Sequence, residues 1–216
     1  MKKKKYNIHP DFKLCPKLPF SPFVLRAASF PQKILLFATP ILSGVKHERS
    51  VIKGSDNSKL CIDIYEPEKS CANMPCLLYL HGGGFGYRAA PHHKKLACIY
   101  AKEAGCKVIF PDYHLLPRHP YPDAKNDALL CLKWINDNAE NLDIDANRIA
   151  IGGDSAGAAL ACYAANQWQD CCYVKPCLQM LIYPVTNSEM NTASMAEFTD
   201  TPMWNSKNNK VMWIYI

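Results

Sequence analysis

The chain has 216 residues, 49% hydrophobic and 20% charged, enough for one α/β domain with a core that folds alone. This composition excludes collagen, a disordered polymer and a repeat array. The formal net charge is +6, but residues 1–33 carry Lys2 to Lys5, Lys13, Lys17, Arg26 and Lys33 against Asp11 alone, so that segment is +7 and the rest of the chain −1. A nucleic-acid binder places its basic groups on a folded face. A basic leading segment instead reads as a solvated, partly disordered arm, with weak attraction to an anionic membrane surface as the alternative.

The arm lacks the form of a signal peptide, because Lys2–Lys5 run into a polar stretch rather than an apolar one. The best later run, Ile34 to Leu42, contains Pro40 and falls far short of the roughly 20 residues a bilayer span needs. Secretion and stable membrane insertion are therefore not expected. The eleven cysteines are odd in number, and Cys61, Cys76, Cys106, Cys131, Cys162 and Cys177 fall inside strand-like or helix-like segments. Buried free thiols in a reducing cytoplasm fit that placement better than a disulfide framework. No two cysteine pairs have zinc-ligand spacing, so neither a metal nor another cofactor is implied.

In chain order, helix is expected around Phe23–Ala28 and Gln32–Leu42, followed by strands at Val51–Ile52 and Leu60–Tyr65. Pro75–Leu80 is a short, nearly unbroken apolar run, as a doubly covered strand requires, and a helix-like stretch Lys94–Glu103 comes after it. Lys107–Tyr113 reads as strand, Asp123–Asn138 as amphipathic helix and Arg148–Ile151 as strand. Ala158–Trp168 is a helix rich in small residues, and Cys177–Tyr183 is another buried strand. Such alternation implies an α/β fold with a mostly parallel, doubly wound sheet. Asn187–Ile216 is polar, then helix-like, and ends on the apolar run Val211–Ile216, which has no obvious partner.

Two motifs carry chemistry. Gly153-Asp154-Ser155-Ala156-Gly157 fits a nucleophile elbow, a strained strand-to-helix turn that lifts a serine oxygen above the sheet. Glycine is needed two residues before and two after the serine, because the backbone crowds there. A bare motif of this kind is weak evidence; the strand before it, the helix after it and the small Ala158, Ala159 and Ala161 strengthen it. Upstream, His81-Gly82-Gly83-Gly84-Phe85 ends a strand, and consecutive glycines leave backbone N–H groups able to converge on an oxyanion. A phosphate loop would continue with Lys-Ser/Thr, but Phe85-Gly86-Tyr87-Arg88 follows.

Together with Asp112-Tyr-His-Leu-Leu-Pro117 between them, these motifs resemble the hormone-sensitive-lipase family of α/β-hydrolases, marked by HGGG and GDSAG, over roughly residues 45–186. The resemblance implies a carboxylic ester hydrolase acting on short-chain acyl esters. Ser155 would be the nucleophile, and the N–H groups of Gly83, Gly84 and Ala156 the oxyanion hole. His81 and Gly82 would shape the turn, Gly153 and Gly157 the elbow, and Asp154 would be a structural acid beside it. Residues 1–45 then read as an N-terminal arm or cap segment, 46–186 as the hydrolase core and 187–216 as the start of a second cap segment.

Two departures from the family stand out. Leu116-Pro117-Arg118 replaces the usual Ala-Pro-Glu, which removes an acid beside the cap. More seriously, the fold's triad runs Ser, Asp/Glu, His along the chain, yet all seven histidines (9, 47, 81, 92, 93, 114 and 119) precede Ser155. Asp170, Glu189, Glu197 and Asp200 follow the serine but fall in helix or cap. The expectation is a chain lacking the family's last strands and helix, with the rival reading of an inactive remnant or pocket-binding pseudoenzyme. His92 and His93 are the nearest candidates for a substitute base.

Overall fold

The computed structural model describes residues 6–12, 14–54, 58–171 and 175–216; the expectations that fall on Lys2–Lys5, Lys13 and Cys172 lie outside them. After a single 3₁₀ turn (Pro10–Phe12), helix α1 spans Pro22–Ala38, with Ser21 Oγ accepting from the Val24 N–H at 3.4 Å. Two helices were expected here, and one runs straight through Pro31. Proline removes one N–H from the ladder; Pro31 and Ala27, the residue four before it, both face solvent, so water can take up the orphaned carbonyl. The helix stops before Leu42 because Thr39 precedes a proline and is pushed to extended backbone (ψ 121).

Next come β1 (Val45–Lys53), β2 (Lys59–Pro67), β3 (Met74–Leu80), α2 (Pro91–Ala104), β4 (Lys107–Pro111) and α3 (Tyr121–Asp137). The chain continues through β5 (Ile144–Asp154), α4 (Ala156–Asn166), α5 (Trp168–Cys171), β6 (Leu178–Ile182), α6 (Ala193–Glu197) and α7 (Ser206–Ile214). The six strands form one sheet in the order β1-β2-β4-β3-β5-β6. The β1–β2 and β2–β4 pairings are antiparallel; β4–β3, β3–β5 and β5–β6 are parallel.

Period-two alternation within β3 divides the core. Cys76, Leu78 and Leu80 face a layer containing Ala128, Leu132 and Ile135 of α3 and Leu160, Ala161 and Ala164 of α4. Leu77 and Tyr79 face Ala97, Cys98 and Ala101 of α2. Both faces of the central strands are thus covered, which is why β3 and β4 read as continuous apolar runs. The outer strand β6 differs, with exposed or half-exposed side chains throughout.

Two expectations about the chain's outer segments are corrected. The described N-terminal residues are not a solvated arm: Phe20 and Leu25 are buried, and Met203 N donates to Pro16 O at 2.8 Å while Leu18 N donates to Met203 O at 3.4 Å. Lys17 pairs with Asp200 at 3.4 Å, so segments far apart in sequence are joined. Nor is Val211–Ile216 without a partner. Met212 is fully buried, Val211, Trp213 and Ile216 pack on the main core, and Ile214 and Tyr215 face out. A helix face, invisible in a linear reading of the last six residues, makes the difference.

Candidate active site

Strand β5 delivers Gly153 and Asp154 to the end of the sheet, and Ser155 turns the chain into α4. Ser155 has φ 51 and ψ −115, a left-handed-side conformation that costs a non-glycine residue energy and is held by its surroundings. Those restraints are visible: Ser155 N donates to Ile182 O at 2.9 Å, and Ser155 O accepts from Ala159 N at 3.2 Å and Val185 N at 3.3 Å. The crowding expected at the flanking glycines is present. A Cβ on Gly153 would lie 2.3 Å from Leu80 O and 2.6 Å from the Gly157 carbonyl carbon, and one on Gly157 only 2.0 Å from Leu80 O. Both contacts are with backbone, which has no room to yield.

The glycine loop after β3 packs beside this turn. Asp154 joins the two motifs: Oδ1 accepts from Gly82 N at 3.0 Å and from the Tyr79 hydroxyl at 2.9 Å, and Oδ2 lies 3.3 Å from His93 Nε2. His93 Nδ1 accepts from Ala90 N at 2.8 Å, so its proton sits on Nε2 and points at Asp154. Burial alone would raise the Asp154 pKa, but the hydrogen bonds from His93, Tyr79 and Gly82 outweigh it and hold the carboxyl below its ordinary range. Asp154, expected as a structural acid beside the elbow, is a buried carboxylate with three hydrogen-bonding neighbours, Tyr79, Gly82 and His93.

His81 is fully buried and stacks on Tyr113 with ring centroids 4.4 Å apart. Its Nδ1 donates to Gly82 O at 2.7 Å, and Tyr113 Oη donates to His81 O at 2.6 Å. Burial, with His93 adjacent, pushes the His81 pKa down to about 3, so the ring is neutral. Gly83 (φ 136) and Gly84 (φ 60) then reverse the chain, and Gly86 N and Tyr87 N both donate to Gly83 O. The N–H groups of Gly83, Gly84 and Ala156 donate to no group among the described residues.

Aromatic side chains from both outer segments cover this loop. A Cβ on Gly84 would come 2.6 Å from the Trp204 ring and 3.1 Å from Phe20, and these two rings meet edge-to-face at 5.3 Å. Tyr87 completes the group, 6.1 Å from Phe20 and hydrogen-bonded through its hydroxyl to Pro19 O. Sequence reasoning singled out neither this aromatic group nor the Tyr79–His93 support of Asp154. The His92-His93 pair was the available signal for the latter.

The histidines are otherwise engaged. His47 contacts Asp63 at 2.7 Å, His114 contacts Asp127 at 2.9 Å, His119 lies 3.4 Å from Asp123 and His9 lies 3.6 Å from Asp11. His92 stacks near His93, with burial lowering its pKa. No histidine hydrogen-bonds Ser155 among the described residues. No group of three or more metal-ligating side chains occurs among them either.

A mostly parallel sheet carrying a strained serine at a strand-to-helix turn, beside a glycine loop, defines the α/β-hydrolase class. The profile of the alpha/beta hydrolase fold family matches residues 77–216, and the chain belongs to that family, in its hormone-sensitive-lipase branch. Carboxylesterase NlhH of Mycobacterium tuberculosis is 34% identical over 142 residues, covering 66% of this chain and 44% of that protein. Ethyl acetate hydrolase of Pseudomonas putida is 37% identical over 146 residues, covering 66% and 46%. Among solved structures, a bacterial heroin esterase superposes with a TM-score of 0.85 at 30% identity, covering 95% of this chain and 65% of that one. Esterase LipW from Mycobacterium marinum gives 0.83 at 29%, covering 92% and 64%. The chain therefore spans less than half the length of the two curated relatives.

Proposed function

We propose that this site hydrolyses carboxylic esters, with Ser155 attacking the acyl carbonyl and the N–H groups of Gly83, Gly84 and Ala156 receiving the oxyanion. One observation carries the reading: a serine held at φ 51 on the strand-to-helix turn, beside a loop and a helix start whose N–H groups have no described partner. Donors left unpaired at such a junction stabilise charge that develops on a carbonyl oxygen, and removing one such donor typically costs about 10²–10³ in rate. The ring group of Phe20, Tyr87 and Trp204 makes the approach to Gly84 apolar, which suits a short acyl chain. Cys15, Cys61, Cys71, Cys76, Cys98, Cys106, Cys131, Cys162 and Cys177 are free thiols, which fits a reducing, cytoplasmic setting.

A second reading is favoured by the histidines. Each is turned to another partner or neighbour, so among the described residues no histidine is hydrogen-bonded to Ser155 to take its proton, and an unassisted hydroxyl is a poor nucleophile. These residues then bind an ester and polarise its carbonyl without turning it over at an enzymatic rate. Steady-state hydrolysis of p-nitrophenyl butyrate by the chain, beside Ser155→Ala, separates the two. A rate that falls at least about a hundredfold in Ser155→Ala supports serine-dependent hydrolysis. Equal trace rates in both proteins support the binding reading.

A further inference from the structure

Helix α1 has two apolar faces. Leu25 and Leu36 pack on the hydrolase core, while Ser29 and Gln32 on the same side hydrogen-bond Arg88. On the opposite side, Phe23, Phe30 and Phe37 recur every seven residues with Ile34 among them, forming one stripe. These side chains are exposed at 81% (Phe23), 71% (Phe30), 52% (Ile34) and 83% (Phe37). Three outward phenylalanines on one helix form an apolar patch of the kind that soluble surfaces rarely leave without a purpose.

The charge beside the stripe identifies what it meets. Arg26 and Lys33 lie along one flank, and the segment that carries the helix, residues 1–38, holds +7 of charge against −1 for the rest of the chain. On the Arg26 side opens a cleft of about 300 Å³ between α1 and the loop after β4. Its lining includes Arg26, Lys59 and Arg118, none of which makes an ion pair among the described residues, and Arg88, which is bound to Asp112 at 2.7 Å. With Arg118 the cleft carries three cations that no carboxylate pairs among the described residues.

We infer that the outer face of α1 is a peripheral docking surface for an anionic phospholipid membrane. The phenylalanine stripe enters the boundary between headgroups and acyl chains, while Arg26, Lys33 and the Arg26–Lys59–Arg118 cleft take lipid phosphates. A convex aromatic ridge suits a fluid surface, which needs no matching groove, and basic residues at its edge belong at headgroup level. The helix lies on the surface and does not cross it: no helix among the described residues is long and apolar enough to span a membrane. The inference is independent of the chemistry at Ser155.

Co-sedimentation of the 216-residue chain with vesicles tests it, using phosphatidylcholine alone and equal parts phosphatidylcholine and phosphatidylglycerol. The chain is expected to sediment with the anionic vesicles, less so as salt is added. Phe30→Ser with Phe37→Ser should weaken binding by about tenfold or more, because exposed aromatic area is lost. Arg118→Glu, which swings the cleft by two charges, should weaken it by about tenfold or more on anionic vesicles alone. Both variants change exposed side chains, so an unchanged thermal midpoint confirms that they fold. The inference is overturned by failure of the wild type to sediment with anionic vesicles, or by equal binding of wild type and variants. It is also overturned if the phenylalanine changes turn a dimer into a monomer while no vesicle binding is seen, which would make the stripe a contact between copies.

Discussion

Two buried groups behind the elbow both make the fold less stable as pH falls, over different ranges. His81, with a pKa of about 3 against an unfolded value near 6.5, is bound neutral, so the unfolded chain takes up a proton first as pH falls. Its contribution is complete above about pH 6.5 and is lost progressively down to about pH 3, at up to about 1.4 kcal/mol per pH unit. Asp154 has its pKa depressed, so its contribution is present above the ordinary carboxylate range and is lost only as pH falls below that range. Urea titrations between pH 7 and 4 should show stability declining with pH, and His81→Asn should flatten the slope even though it lowers the plateau. An unchanged slope would mean that His81 is not held neutral. The same scale explains the elbow glycines. Gly157→Ala places a Cβ 2.0 Å from Leu80 O and should cost about 3 kcal/mol, whereas Gly105→Ala meets nothing within 4 Å and carries only the strain of φ 59, about 1 kcal/mol. Denaturant midpoints of the two variants check the difference.

At the scale of elements, α1 depends on one side chain for much of its placement. Arg88 Nη1 lies 2.7 and 2.9 Å from the two Asp112 carboxylate oxygens, its Nε donates to Ser29 Oγ at 2.8 Å and its N–H donates to Gln32 Oε1 at 3.1 Å. One guanidinium therefore joins α1 to the glycine loop and to the residue after β4. Lysine cannot reproduce the fork. Arg88→Lys should cost about 2 kcal/mol and raise hydrogen exchange along α1 more than along α4, which makes none of these contacts. Uniform exchange across both helices would show that α1 is held by its other contacts, Leu25 and Leu36 on the core among them. The joining of Arg88 to α1 was not legible in the sequence, because Arg88 lies 56 residues from Gln32 and 59 from Ser29.

For the whole molecule, the sheet has two contrasting edges. β1 is an antiparallel outer strand, while β6 is a parallel one with Leu178 60% exposed. An exposed apolar edge is a template for pairing with another chain. The 216-residue polypeptide should self-associate on concentration, and Leu178→Lys should suppress light scattering without lowering the thermal midpoint. If scattering persists in that variant, another surface drives association, with the α1 stripe the foremost candidate.

The sequence by itself determined the class of fold, the position of every central strand and the two chemical motifs. These are local properties: continuous apolar runs mark strands covered on both faces, and glycine spacing marks turns that only glycine can make. It also placed Ser155 at the elbow and Asp154 beside it. Only the tertiary structure decided which groups meet across the chain: Tyr79, Gly82 and His93 on Asp154, Phe20 and Trp204 over Gly84, and Pro16–Leu18 against Met203. It also decided that Val211–Ile216 buries Met212 while α1 leaves its phenylalanines outside. Both segments are apolar, and composition does not say which face of a helix the core will claim. That depends on a neighbour hundreds of atoms away along the chain, brought close only when the sheet has formed.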